Sequence, residues 1–203
     1  MQTVVNYQKE MERILAQLEG TPSLLLHSCC GPCSSAVLER LAPHFRITVD
    51  YYNPNIAPAE EYHRRADEEH RFLREAYGDA VPLREGPYVP DEFYAAVRGL
   101  EDIPEGGERC FACYLLRLRH TAQAARAGGF DFFTTTLSVS PHKNAAVLNA
   151  QGLALEKEYG VRFLPADFKK KEGFKRSLVL SEQYGLYRQD YCGCVFSKRE
   201  RGL

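Results

Sequence analysis

The sequence predicts an α/β fold in which a parallel sheet carries helices on both faces, formed by residues 1–203 as a single domain. Three observations lead there. Short apolar or β-branched runs alternate with amphipathic stretches of helix length along the chain, the order that parallel crossovers require. A chain of 203 residues with 44% hydrophobic composition is enough for one ordinary core. Internal repeats and low-complexity segments are absent from the sequence.

The elements follow in order. Val4, Tyr7, Met11, Ile14, Leu15 and Leu18 recur at helical spacing, so residues 1–20 read as an N-terminal helix that stops at Gly20–Pro22. Leu24–Leu26 is a fully apolar run typical of a buried strand, and Pro32 opens a helix to Leu41. Arg46–Tyr52 reads as a strand, and Asn53–Ile56 as a loop before a charged helix from Pro58 to Tyr77. A weaker strand near Val81–Leu83, a short helix near Asp91–Val97 and a Gly/Pro-rich loop over Gly99–Gly107 come next. Phe111–Ala127 is a helix stopped by Gly128–Gly129, and Phe130–Thr136 an aromatic, β-branched strand. A helix over Lys143–Tyr159 and a strand over Val161–Leu164 precede a final part with one helix near Arg176–Tyr184 and an otherwise irregular end.

No stretch has the roughly 18 apolar residues of a membrane span, and the start lacks a basic region followed by an apolar one, so the expected location is the cytoplasm, with no membrane partner. The net charge of −1 hides an asymmetry. Residues 162–203 carry ten Lys or Arg against five Asp or Glu, a basic C-terminal segment that suits an anionic partner or is simply a solvated surface.

The seven cysteines fall into three knots: Cys29, Cys30 and Cys33; Cys110 and Cys113; Cys192 and Cys194. In a reducing compartment such clustering indicates metal ligation or redox chemistry. The first knot lies between a strand and a helix N-terminus, where free N–H groups and the dipole favour thiolates, so these cysteines should be ionised. Cys30-Gly31-Pro32-Cys33 also has the thioredoxin dithiol spacing, although the chain is too long and too cysteine-rich for that fold alone. Cys110-x-x-Cys113 places two sulfurs on one metal or cluster, and with Cys29 and Cys30 it makes four thiolates, suited to zinc or to [4Fe-4S]. Adjacent cysteines are unusual in structural zinc sites, which favours iron and sulfur. Cys192-Gly193-Cys194 closes a disulfide only in a tight ring, the labile and catalytic sort; its other reading is a further pair of metal ligands.

Other candidates surround these knots. Tyr187, Arg188 and Tyr191 have the composition to stack on a base and touch phosphate, and Lys169, Lys170 and Lys171 suit phosphate or plain surface. Lys143 and Asn144 suit an anion at a helix start, and Asn53, Asn55 and Arg65 either line the same mouth or form a turn. His27 reads as a satisfied core histidine.

In combination, Cys29-Cys30-Gly31-Pro32-Cys33-Ser34, Tyr52-Asn53-Pro54-Asn55-Ile56, Cys110-x-x-Cys113-Tyr114, Ser140-Pro141-x-Lys143, Asp167-Phe168-x-Lys170-Lys171 and Tyr187-Arg188-Gln189-x-Tyr191-Cys192-Gly193-Cys194 resemble the epoxyqueuosine reductases of the QueH type. The resemblance spans residues 24–197 and implies a Rossmann-like sheet related to the PP-loop (HUP) fold. It implies a cytoplasmic enzyme that reduces the epoxide of epoxyqueuosine at the tRNA wobble position, with electrons from an unidentified donor. It further implies a [4Fe-4S] cluster on Cys29, Cys30, Cys110 and Cys113, a redox-active pair at Cys192 and Cys194, and an additional iron near Cys33. Such a reduction needs proton donors, for which the sequence offers Tyr114, Asp167, Tyr187 or Tyr191 without choosing among them. Cysteines fill the turn where relatives of the fold cradle phosphate, so neither ATP nor cobalamin is expected. Two other classes stay open: a cytosolic thiol-disulfide oxidoreductase and a zinc-stabilised RNA-binding module.

Overall fold

A computed structural model describes residues 5–203. Five parallel strands, β1 (Ser23–His27), β2 (Arg46–Tyr51), β3 (Leu83–Glu85), β4 (Phe132–Thr135) and β5 (Arg162–Phe163), form one sheet in the order β3-β2-β1-β4-β5. β1 pairs on both sides, with Leu25 opposite Thr48 of β2 and Phe133 of β4. Its apolar run is therefore buried on both faces: Leu24 and Leu26 enter one core with Met11, Val37, Leu38 and Phe72, and Leu25 enters the other with Leu118, Phe133 and Leu148.

Helices α1 (Tyr7–Ala16), α2 (Gly31–Leu41) and α3 (Ala59–Tyr77) supply the first core, and α5 (Glu108–Ala127) with α6 (Ala145–Tyr159) supply the second. The short α4 (Pro90–Ala96) packs on α5. α7 (Gly173–Gln183) covers α2, and α8 (Val195–Glu200) follows the last cysteine pair. No helix among the described residues is long and apolar enough to cross a membrane.

The differences from the sequence reading are local. The N-terminal helix runs over ten residues, from the Asn6 cap, whose side chain accepts from the Lys9 N–H, to Ala16; Val4 lies outside the described residues. α5 begins at Glu108, so Cys110 is inside its first turn rather than ahead of it. α7 starts at Gly173, ahead of the expected Arg176. The end read as irregular contains α8, which six residues are too few to announce by periodicity. Its order comes from packing: Phe196 joins Phe93, Val97 and Cys113 in a small apolar cluster.

One buried amide sets the course of the chain into the site. Asn149 of α6 donates to Ala166 O at 2.8 Å and accepts from Ala166 N–H at 2.8 Å, pinning the backbone just before Asp167. Asn149→Ala strands both backbone groups, and we expect a loss of about 2–4 kcal/mol. Urea unfolding measures it, and a loss below about 1 kcal/mol would show that another group holds Ala166.

Candidate metal and redox site

The chain leaves β1 at His27, and the sheet order reverses between β1 and β4, which makes the crevice beyond their carboxyl ends the natural ligand site. The turn that follows is fixed from its neighbours. Ser28 N–H donates to Asp50 O at 3.0 Å, and Asn53 Nδ2 donates to Ser28 O at 2.9 Å. His27 is satisfied in the core, with Nδ1 at 2.9 Å from Thr135 Oγ1 and Nε2 at 3.2 Å from Tyr52 O. Burial lowers its pKa to about 3, so it is neutral.

This turn holds Cys29, Cys30 and Cys33 with their sulfurs all within 4.8 Å of one another. The expectation that all three ionise is corrected here. Thiol hydrogen bonds from Cys29 and Cys33 hold Cys30 well below the usual cysteine range against its burial, helped by Arg65 and by Gln189 Nε2, which donates to Cys30 Sγ at 2.9 Å. The same sharing pushes Cys29 up to about 11 and raises Cys33. Three negative sulfurs in one buried turn repel each other more than one helix terminus offsets.

Beneath the turn lies Glu69 of α3, fully buried, with no hydrogen-bond partner for either carboxylate oxygen. The neighbouring hydroxyls are turned elsewhere: Ser34 donates to Gly31 O at 3.0 Å and Ser28 to Cys30 O at 3.4 Å. Burial raises the Glu69 pKa to about 8.

Cys110 and Cys113 come from the first turns of α5, with Cys110 Sγ accepting from Gly106 N–H at 3.3 Å. Burial raises the Cys113 pKa. Cys192 and Cys194 arrive on the segment between α7 and α8. Lys143 Nζ donates to Cys192 Sγ at 2.9 Å, Cys192 N–H donates to Ser197 Oγ at 3.2 Å, and Ser197 Oγ donates to Glu105 Oε2 at 3.0 Å. Lys143 is buried, which opposes its charge, but Cys192 and Tyr114 outweigh that and its pKa is raised. Cys194 caps α8, accepting from Ser197 N–H at 3.3 Å, and burial pushes its pKa up to about 12. Gly193 between the two has φ +120°, and a Cβ there would meet Ile56 at 2.9 Å and Arg65 at 3.0 Å, so only glycine fits.

Two cavities collect the knots. A small one has Cys110, Cys113, Cys192 and Cys194 in its wall. A wider one of about 230 Å³ is lined by Cys29, Cys33, Cys192, Arg188, Gln189 and Tyr191. Arg117, Lys143 and Cys192 belong to both walls. Cys29 packs against the same apolar cluster that contains Cys110, while among the described residues the sulfurs that come within 4.8 Å of one another are those of Cys29, Cys30 and Cys33.

The donor set fits a metal–sulfur group. Around the small cavity, both polar atoms of the Asn55 amide, Tyr114 Oη and Arg117 Nη2 are buried without a hydrogen-bond partner. Such orphans in a native core call for a ligand, and thiolate-bound metal sulfide accepts from N–H and O–H groups.

The other candidates separate. Asn53 braces the cysteine turn, and Asn144 caps α6, accepting from Val147 N–H at 3.2 Å, so both are structural. Arg65 pairs with Glu61 at 2.6 Å and donates to Cys192 O at 3.1 Å. Tyr187 lies away from both cavities, covered by the Arg64 guanidinium at 3.4 Å from its ring, with its hydroxyl on Glu61. Tyr191 lines the wide cavity, but its hydroxyl donates to Ala57 O at 2.9 Å and Arg65 lies over its ring. Arg188 lines it too, anchored on Ser181 Oγ at 2.9 Å. Asp167 pairs with Lys169 at 2.9 Å, Lys171 pairs with Glu12, and Lys170 is exposed. Arg117, Gln189, Glu105 and Glu69 were not singled out by sequence. Of these, Arg117 carried a signal, one turn after Cys113 on the same helix face.

Comparisons with known proteins identify a family for the chain. A family profile described as "Epoxyqueuosine reductase QueH" matches residues 24–200. Proteins described as epoxyqueuosine reductase QueH are similar to the chain: one from Streptococcus pyogenes serotype M1 is 44% identical, covering 98% of this chain and 80% of its own. One from Staphylococcus aureus is 40% identical over 98% of this chain and 86% of its own, and one from Thermotoga maritima 37% identical over 88% and 92%. Among solved structures, the U34-tRNA thiolase NcsA from Methanococcus maripaludis, described with its [4Fe-4S] cluster, superimposes with a TM-score of 0.53 at 15% identity, covering 94% of this chain and 67% of that one, which establishes likeness of fold.

Glu69 yields a test of the site's floor. Its folded pKa of about 8 lies above the ordinary value of 4.5, so the folded chain keeps a proton that the unfolded chain releases. The stability this gives is complete below the ordinary value and is lost as pH rises toward 8. Between about pH 5 and pH 8 the wild type should lose up to about 1.4 kcal/mol per pH unit relative to Glu69→Gln. Urea unfolding of both proteins across that range measures it, and parallel curves would mean that Glu69 is ionised in the fold.

Proposed function

The chain belongs to the epoxyqueuosine reductase QueH family, which makes it an oxidoreductase of tRNA queuosine biosynthesis, and we propose that it deoxygenates epoxyqueuosine with a cysteine pair beside an iron–sulfur group. One observation carries the reading. Cys192 lines both cavities, with the buried Cys110 and Cys113 in the wall of one and an open space on the side of the other.

The residues divide the work. Cys29, Cys30, Cys110 and Cys113 are the proposed ligands of a [4Fe-4S] cluster, with Cys33, whose sulfur is within 4.8 Å of Cys29 and Cys30, placed for an additional iron. When bound, such a group supplies Lewis acidity toward the epoxide oxygen and a path for low-potential electrons. The wide cavity, bounded by Arg188, Gln189 and Tyr191, takes the modified base. Converting the epoxide to an alkene requires two electrons and two protons. The Cys192–Cys194 dithiol holds that number of each: both S–H bonds and both epoxide C–O bonds break, one S–S bond forms, and the oxygen leaves as water. An external reductant then reopens the disulfide. Lys143 and the Glu105–Ser197 pair hold Cys192 at the boundary throughout. Neither ATP nor cobalamin enters this scheme. Exposed Lys170 and Arg188 are the proposed phosphate contacts of tRNA.

Anaerobic, iron-replete protein with a low-potential reductant should turn epoxyqueuosine in tRNA into queuosine, seen as loss of one oxygen in nucleoside mass analysis. Cys194→Ser should keep its iron and visible spectrum while losing turnover. Iron lost together with activity would make Cys194 a ligand, and an unchanged nucleoside with wild-type protein would remove the assignment. Lys170→Ala should lower the salt slope of tRNA binding by about one unit, and an equal slope would return Lys170 to plain surface.

A further inference from the structure

Three arginines are buried among the described residues, Arg65, Arg109 and Arg117. Arg65 has Glu61 at 2.6 Å and Arg109 has Glu200 at 2.5 Å. Among the described residues Arg117 forms no salt bridge. Its Nε donates to Cys113 O at 3.3 Å, and its Nη2 has no partner although it is shielded from water. A guanidinium always carries its charge, and an uncompensated buried charge is among the most costly things a fold can hold. The residues around it are Cys29, Cys113, Cys192 and Tyr114, and it lies in the wall of both cavities. Lys143, also buried, is different, because it has Glu105 at 3.5 Å as well as Cys192 at 2.9 Å.

We infer that Arg117 is the internal counter-charge of the iron–sulfur group, and that its unpartnered Nη2 donates to a sulfur of that group. This rests on the cluster reading above. Four thiolates around a cubane core leave net negative charge, which supplies the anion that the protein itself does not place beside Arg117. The consequence is electronic. Each added electron increases the negative charge, so a fixed cation nearby favours the reduced form and raises the reduction potential, as does a hydrogen bond to sulfur. Arg117 thereby acts as a positioning and tuning residue.

The test uses the full chain, reconstituted anaerobically with iron and sulfide and titrated with dithionite while the visible and electron paramagnetic resonance signals are followed. Arg117→Gln, or Arg117→Met where an apolar replacement folds better, should lower the reduction equilibrium constant about tenfold, which for a one-electron couple is about 59 mV toward more negative potential. Arg117→Lys should recover most of that shift, because the charge returns without the planar fork. Arg109→Gln, whose native partner is Glu200, should leave the potential within about twofold of the wild type.

A neutral variant with full iron and the wild-type potential overturns the inference, as does a lysine variant no better than the neutral ones. Should both neutral variants fail to fold, Arg117→Lys must still fold and bind iron; its failure would show that shape and not charge is required, and would overturn the inference too. Wild-type protein that takes up no iron and sulfide would overturn the cluster reading beneath it, an outcome separate from an arginine without effect in iron-loaded protein.

Discussion

The pairing of β1 on both edges governs the rest of the molecule. With β2 and β3 laid on one side and β4 and β5 on the other, the chain has to cross back to the middle of the sheet, and the loops leaving β1 and β4 diverge to opposite faces. A crevice results that no strand fills. The cysteine turn and the Thr136–Ser140 stretch open into this region because each follows a strand whose carboxyl end points there. Depth comes from Leu24, Leu25 and Leu26, which anchor β1 in both cores and leave its last residues as a rigid lip.

The segment carrying Cys192 and Cys194 is not part of the sheet and is held mainly by side chains, with one backbone hydrogen bond. Arg65 grips the Tyr191 and Cys192 carbonyls, the Ala57 N–H donates to Gly193 O, and Gln189 reaches Cys30. Buried polar groups therefore do here what a ladder of backbone hydrogen bonds does elsewhere. Each is expensive to leave unpaired, so the segment has one seat and no easy alternative.

Much of this was legible in the sequence, for identifiable reasons. Apolar runs and helical periodicity marked every strand and all the long helices, since burial on two faces leaves no ambiguity of period. The three cysteine knots stood out because thiols rarely cluster without chemistry. Short pieces were harder: α8 has six residues, a length at which tertiary packing alone decides. Arg117 sits among Leu115, Leu116, Leu118 and Arg119, where a charge resembles one more solvated position. Tyr187 and Tyr191 had the right composition for stacking on a base, yet Arg64 and Arg65 already occupy their rings, something only the arrangement of α3 reveals. Lys143 was recognised as an anion site, but its partner here is the Cys192 sulfur of the same chain.

The uneven shelter of the cysteines has a chemical cost. Cys30, Cys110, Cys113 and Cys194 are buried, while Cys29, Cys33 and Cys192 keep some contact with solvent through the wide cavity. Under the proposed function, the cavity that takes the modified base is equally open to dioxygen and peroxide. Sulfenic acid chemistry begins at the accessible sulfurs and proceeds inward. On that proposal a bound nucleic acid is also a shield, and the protein without it is the form whose accessible sulfurs oxidise first.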